Sequence, residues 1–137
     1  MDPEQLIKTI YLGDRAVKAV LIDSWKERVA IQVDEISRLR PGSTSWDFYT
    51  DEDISDGWLV FTGVREIVFD PPGPLPDDYI CGLSVVGREP AENRDLYSFQ
   101  LSTAGSRKDG SGTAVSIRIL AAGMHLEDPS RPGVEIT

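Results

Sequence analysis

The chain has 137 residues, with 14 Lys or Arg, 23 Asp or Glu and a single His, so its formal charge is −9. At 40% hydrophobic residues it is too apolar to be disordered by composition, and its length suits one globular domain, residues 1–137. The acid excess argues against a nucleic-acid binder, whose affinity rests on clustered Lys and Arg, and equally against docking on anionic membranes.

In chain order, the first expected element is a short helix. Asp2 can act as N-cap, Pro3 suits the first helical position, and Gln5 stands three residues after the cap. The helix should run about two turns and stop before Tyr11-Leu12-Gly13-Asp14. Beyond it the hydrophobic period is mostly two, the signature of half-buried strands. Val17, Ala19 and Leu21 oppose Lys18, Val20 and Ile22, and Asp23-Ser24 closes that strand. Val29, Ile31 and Val33 alternate with Ala30, Gln32 and Asp34, and a later strand closes at Arg40-Pro41-Gly42-Ser43. The run from Trp58 to Phe69 begins apolar on both faces, as a central strand covered on both sides would. The Pro-rich segment Asp70 to Asp77 is a stiff connection, and Tyr79 to Val86 is a second doubly apolar stretch. Tyr97, Phe99 and Leu101 alternate with Ser98, Gln100 and Ser102; Val115, Ile117 and Ile119 alternate with Ser116, Arg118 and Leu120. Lys108-Asp109-Gly110-Ser111-Gly112 between them reads as a hairpin turn. The expected fold is therefore all-β and mainly antiparallel, a sandwich or open barrel of about six to eight strands.

The most unusual stretch is Trp46 to Trp58, because positions 47–56 hold five carboxylates and no base. Without that window the chain has 18 acids against 14 bases, or −4, so over half the net charge lies there. A solvated loop whose aromatics cap the core is the simplest reading. A protein-binding surface is the second, since Trp and Tyr are the usual hot-spot residues and an acidic rim steers a basic partner. Calcium is the weakest, because the sixth and twelfth positions of a calcium loop need Gly and Glu, and here hold Asp56 and Thr62. On the second reading the partner-binding residues are Trp46, Asp47, Tyr49, Asp51, Glu52, Asp53, Asp56 and Trp58. Arg38, Arg40 and Arg65 flank the stretch and are expected to pair with Asp47 or Asp56, at about 0–1 kcal/mol per exposed pair.

Catalytic motifs are missing. His125 has Glu127 and Asp128 nearby but no nucleophile elbow, and by alternation with Leu120, Ala122, Met124 and Leu126 it should point to solvent or a loop. The adjacent acids Asp77-Asp78 and Glu127-Asp128 should point to opposite sides of an extended chain. One His and one Cys cannot build a zinc site, and no phosphate loop or dinucleotide fingerprint is present. Cys81 has no disulfide partner and sits in an apolar run, where a thiol is expected to behave as a small buried hydrophobe. With an acidic N-terminus that lacks a signal-peptide pattern, and with no retention or lipidation motif at the C-terminus, a cytoplasmic location is expected.

The stretches Tyr11 to Ala16, Asp51 to Val64 and His125 to Pro129 resemble a family of small uncharacterised bacterial proteins, a domain of unknown function, over nearly the whole chain. That resemblance implies no activity and assigns no functional residue. Small acidic proteins of this kind are similar in size and charge to immunity proteins, which mask cognate toxins; this is an analogy of class. The expectation is a non-catalytic cytoplasmic protein-binding module with no cofactor and no metal, whose partner is a protein with a basic surface, for instance a toxin. The alternative is a small-ligand-binding or hydrolytic domain with a site near His125.

Overall fold

A computed structural model of the chain describes residues 2–39, 53–76, 79–106 and 112–137. The N-terminal signal forms helix α1 (Pro3–Ile7), with Gln5 N–H donating to Asp2 Oδ1 at 3.0 Å. It is shorter than the two turns expected, and its Leu6 is wholly buried.

Eleven strands follow among the described residues: β1 (Ile10–Tyr11), β2 (Val17–Asp23), β3 (Arg28–Val33), β4 (Glu35–Arg38), β5 (Ile54–Ser55), β6 (Trp58–Thr62), β7 (Glu66–Asp70), β8 (Tyr79–Glu89), β9 (Leu96–Ser106), β10 (Gly112–Ala121) and β11 (Gly123–Glu127). They form antiparallel sheets of order β1-β4-β5, β7-β10-β9-β8 and β11-β6-β3-β2, with no closed barrel. The expected all-β antiparallel class is what folds.

The two four-stranded sheets face each other over one core. Ile31, Leu59, Phe61 and Leu126 from one sheet meet Phe99, Leu101, Ile117 and Ile119 from the other. Phe61 and Phe99 pack edge to face with ring centroids 5.0 Å apart. Fully burying such a side chain contributes about 1.5–3 kcal/mol, so this row of large side chains is the main stabilising element. β6 lies between β3 and β11, and Leu59, Val60 and Phe61 are all buried, as the doubly apolar run from Trp58 predicts.

The sheets join at one corner. β6 runs on into β7 and β10 into β11, so two long strands cross from one sheet to the other side by side. Ala122 N–H donates to Thr62 O and Arg65 N–H to Leu120 O across the bend. Gly63 makes the bend with φ +60°, and a Cβ there would lie 2.9 Å from Ala122 Cβ.

Three bulges displace residues from where simple alternation puts them. The β2–β3 register shifts between Val17 and Ala19, so Val17 pairs with Val33 and Val20 with Ile31. Val17 and Val20 consequently share the core face, whereas Leu21, opposite Ala30, turns outward. In β8 the shifts fall between Ile80 and Gly82 and between Val85 and Gly87. Cys81 and Val86 are the extra residues, and both are exposed. The expectations of a buried Cys81 and of a doubly covered strand at Tyr79–Val86 are therefore corrected. β8 is an outer strand of its sheet, with most of its residues exposed or half-buried.

Candidate functional site

Of the eight residues expected to bind a partner, Trp46, Asp47, Tyr49, Asp51 and Glu52 lie outside the described residues, as does Arg40. The other three are held by the fold. Asp53 Oδ1 accepts the Arg38 backbone N–H at 3.1 Å. Asp56 adopts φ +52° and accepts Lys18 Nζ at 2.5 Å, which ties the end of the acidic stretch to β2. Trp58 is half-buried in β6, opposite Gln32 and Glu127.

The expected arginine pairings fall out differently. Arg38 is buried and its Nη2 donates to Thr9 Oγ1 at 3.3 Å, while Asp56 takes Lys18. Arg65 has no ion-pair partner among the described residues. No group of three or more His, Cys, Asp or Glu side chains among the described residues could hold a metal ion. Asp77 and Asp78 also lie outside the described residues.

His125 corrects a second expectation. It lies on the outer face of its sheet, opposite to Met124 and Leu126, yet only 5% of it is exposed. The reason is a cover that alternation does not reveal. The C-terminal segment folds back along β11, where Leu126 and Ile136 exchange both backbone hydrogen bonds at 2.8 Å. This brings Gly133 N–H to Glu127 Oε1 (3.2 Å) and Glu135 to 3.8 Å from His125 Nδ1. Glu127, 7% exposed, also accepts Arg28 Nη2 from β3 at 2.6 Å and lies 2.8 Å from His125 Nε2. An ionised carboxylate only accepts, so Nε2 carries the proton in that contact.

Burial works against the charge on Glu127, but the hydrogen bonds from His125 and Gly133 and the Arg28 charge outweigh it, holding the carboxyl below its usual range. The chemistry of this cluster is a clamp: one carboxylate joins β3, β11 and the C-terminal segment. Its neighbour Asp128 turns to Ser130, whose N–H and Oγ it accepts, and those bonds hold its carboxyl low as well.

On the same sheet's opposite edge the surface changes character. Among the described residues no strand pairs beyond β2, and its hairpin to β3 turns through Ser24, Trp25, Lys26 and Glu27. Asp23 Oδ1 accepts Lys26 N–H at 3.0 Å and Glu27 takes φ +52°, which fixes the turn. Trp25 at its tip is 95% exposed, with Leu21 at 58% and Ile22 at 50%. An apolar cavity of about 450 Å³ opens between β2 and β7, walled by Val17, Ala19, Val20, Ile22, Phe69, Leu75 and Pro76, with Lys18 as its charged residue; of the three exposed residues only Ile22 lines it. His125 is not among its walls. Sequence reasoning passed over Trp25; the available signal was a Trp in the turn between two strands, where a tip residue has nothing of its own chain to pack on.

No helix among the described residues is long and apolar enough to cross a membrane. Fold and surface together define an antiparallel β-sandwich with one sheet edge sealed by a polar clamp and the other left apolar and open. The chain belongs to DUF6258, a family of unknown function whose model matches residues 1–137. No curated protein and no solved structure matches it.

Proposed function

We propose that this protein is a non-catalytic binding module that grips a protein partner through the open β2 edge and the β2–β3 turn. The observation that carries this reading is Trp25, 95% exposed at the tip of the turn that follows the exposed Leu21 and Ile22, the second of which walls the apolar cavity. An exposed Trp adds nothing to the core. At the tip of a turn whose preceding strand walls an apolar cavity, it has the composition of an interface hot spot. The outer N–H and C=O groups of β2, which pair with no other described strand, add a backbone edge onto which a partner strand can pair.

The charge of −9 favours a partner with a basic surface by raising the association rate. The acidic aromatic stretch serves as the steering element, and the Lys18–Asp56 pair fixes its end at the rim of the groove. Masking of a toxin in the cytoplasm, as immunity proteins do, is the form of function that fits this combination.

The test is a capture experiment from cells that carry the protein, comparing the parent with Trp25→Ala and with Asp51, Glu52 and Asp53 all changed to Ser. The parent should retain a basic protein, Trp25→Ala should weaken it about tenfold or more, and the acidic variant should bind more slowly and lose its salt dependence. Undiminished capture by Trp25→Ala would remove the β2 face from the interface.

A further inference from the structure

Basic residues in this chain are outnumbered by acids, and five of the eleven described ones pair with a carboxylate. Arg15, Lys18, Arg28, Arg88 and Arg118 each face a carboxylate. Arg65 and Arg94 are among those that do not, and neither guanidinium has a hydrogen-bond or ion-pair partner among the described residues. Yet the two come together. Arg65 follows the β6–β7 bend, Arg94 lies in the β8–β9 connection, and both line one cavity of about 520 Å³ with Ala91, Glu92, Asn93 and Leu96.

The place of Arg94 is built into the bend. Its guanidinium lies against Gly63, where a Cβ would sit 2.8 Å from Nη2 and 3.1 Å from Cζ. Any other residue at position 63 would both strain the φ of +60° and push this guanidinium aside. Two like charges sharing a cleft repel each other, and an anion between them reverses the sign of that interaction.

We propose that Arg65 and Arg94 form a subsite for a phosphoryl group. Two guanidiniums match the two charges of a phosphate monoester, and the Asn93 amide supplies a third donor side chain for its three terminal oxygens. Glu92 is the one acid of the lining and opposes the ligand. The cavity exceeds a bare phosphate, so the group arrives on a larger molecule. This site is separate from the β2 face and does not depend on the binding function proposed for it.

The experiment is a calorimetric titration of the full chain with inorganic phosphate and with phenyl phosphate, against acetate at equal ionic strength. Saturable phosphate binding is expected, tighter for phenyl phosphate. Arg65→Gln and Arg94→Gln should each weaken it about tenfold, while Glu92→Gln should tighten it about twofold or more. Neither arginine side chain bonds to another described residue, so both variants should melt within about 3 °C of the parent. Absence of saturable binding, parent-like affinity in either arginine variant, weaker binding in Glu92→Gln, or acetate binding as tightly as phosphate would each overturn the assignment.

Discussion

The two edges of the β11-β6-β3-β2 sheet have opposite designs. At β11 the chain covers its own edge: Ile136 takes the backbone bonds of Leu126, and Glu127 gathers His125, Arg28 and Gly133 around one buried carboxylate. At β2 no described strand pairs with the outer edge, and the exposed apolar side chains of this hairpin are Leu21, Ile22 and, on its turn, Trp25. Both edges present the same unpaired backbone groups to begin with. A chain that seals one with its own residues and leaves the other apolar separates stability from recognition: changes at β11 should unfold the protein, and changes at β2 should leave it folded but unable to bind.

The largest expected effect is at the sealed edge. Glu127→Ala leaves His125, Arg28 and Gly133 N–H facing an empty site, and should cost about 2–4 kcal/mol in urea unfolding. The same carboxylate sets a pH dependence. Its folded pKa lies below the usual 4.5, so the unfolded chain takes up the proton first. Its contribution is complete above about pH 4.5 and is lost as pH falls through the lowered folded value. The parent should therefore lose more stability than Glu127→Gln between about pH 5 and pH 3.

Ile136→Ala comes next. It thins the cover over β11 while keeping both backbone bonds, and should cost about 1 kcal/mol because Ile136 is only partly buried. At the open edge, Trp25→Ala and Leu21→Ser should change stability by no more than about 0.5 kcal/mol while weakening partner binding about tenfold or more. A loss of stability there as large as at Glu127 would erase the contrast between the edges. Smallest of all is the effect of thiol labelling. Cys81 stands outside the β8–β9 pairing and should react fully in the native protein with no change in melting temperature.

Much of this architecture is legible in the residues. Asp2 and Pro3 announce the helix, the Tyr97-Phe99-Leu101 and Val115-Ile117-Ile119 rows give strands in the right phase, and the apolar start of the Trp58 run marks the central β6. What escapes the sequence has two physical origins. A bulge adds one residue and flips every later side chain, with no compositional mark at Lys18, Cys81 or Val86. Burial by a distant segment is equally silent: His125 has the alternation of an outward residue, and only the return of residues 133–136 covers it. The acidic stretch was prominent because charge is easily counted. Its described acids, Asp53 and Asp56, hold the Arg38 backbone N–H and Lys18 Nζ, while Trp25, exposed on a turn, carries no charge or spacing pattern that marks it.

The most direct measurement places one photo-crosslinking side chain on each region, at position 25 on the β2–β3 turn or at position 130 beside the C-terminal clamp, in cells that carry the protein. Both positions are exposed, so both probes can react. The account predicts a crosslink to one basic protein from position 25 and none from position 130. Crosslinks from position 130 alone, or equally from both, would contradict it.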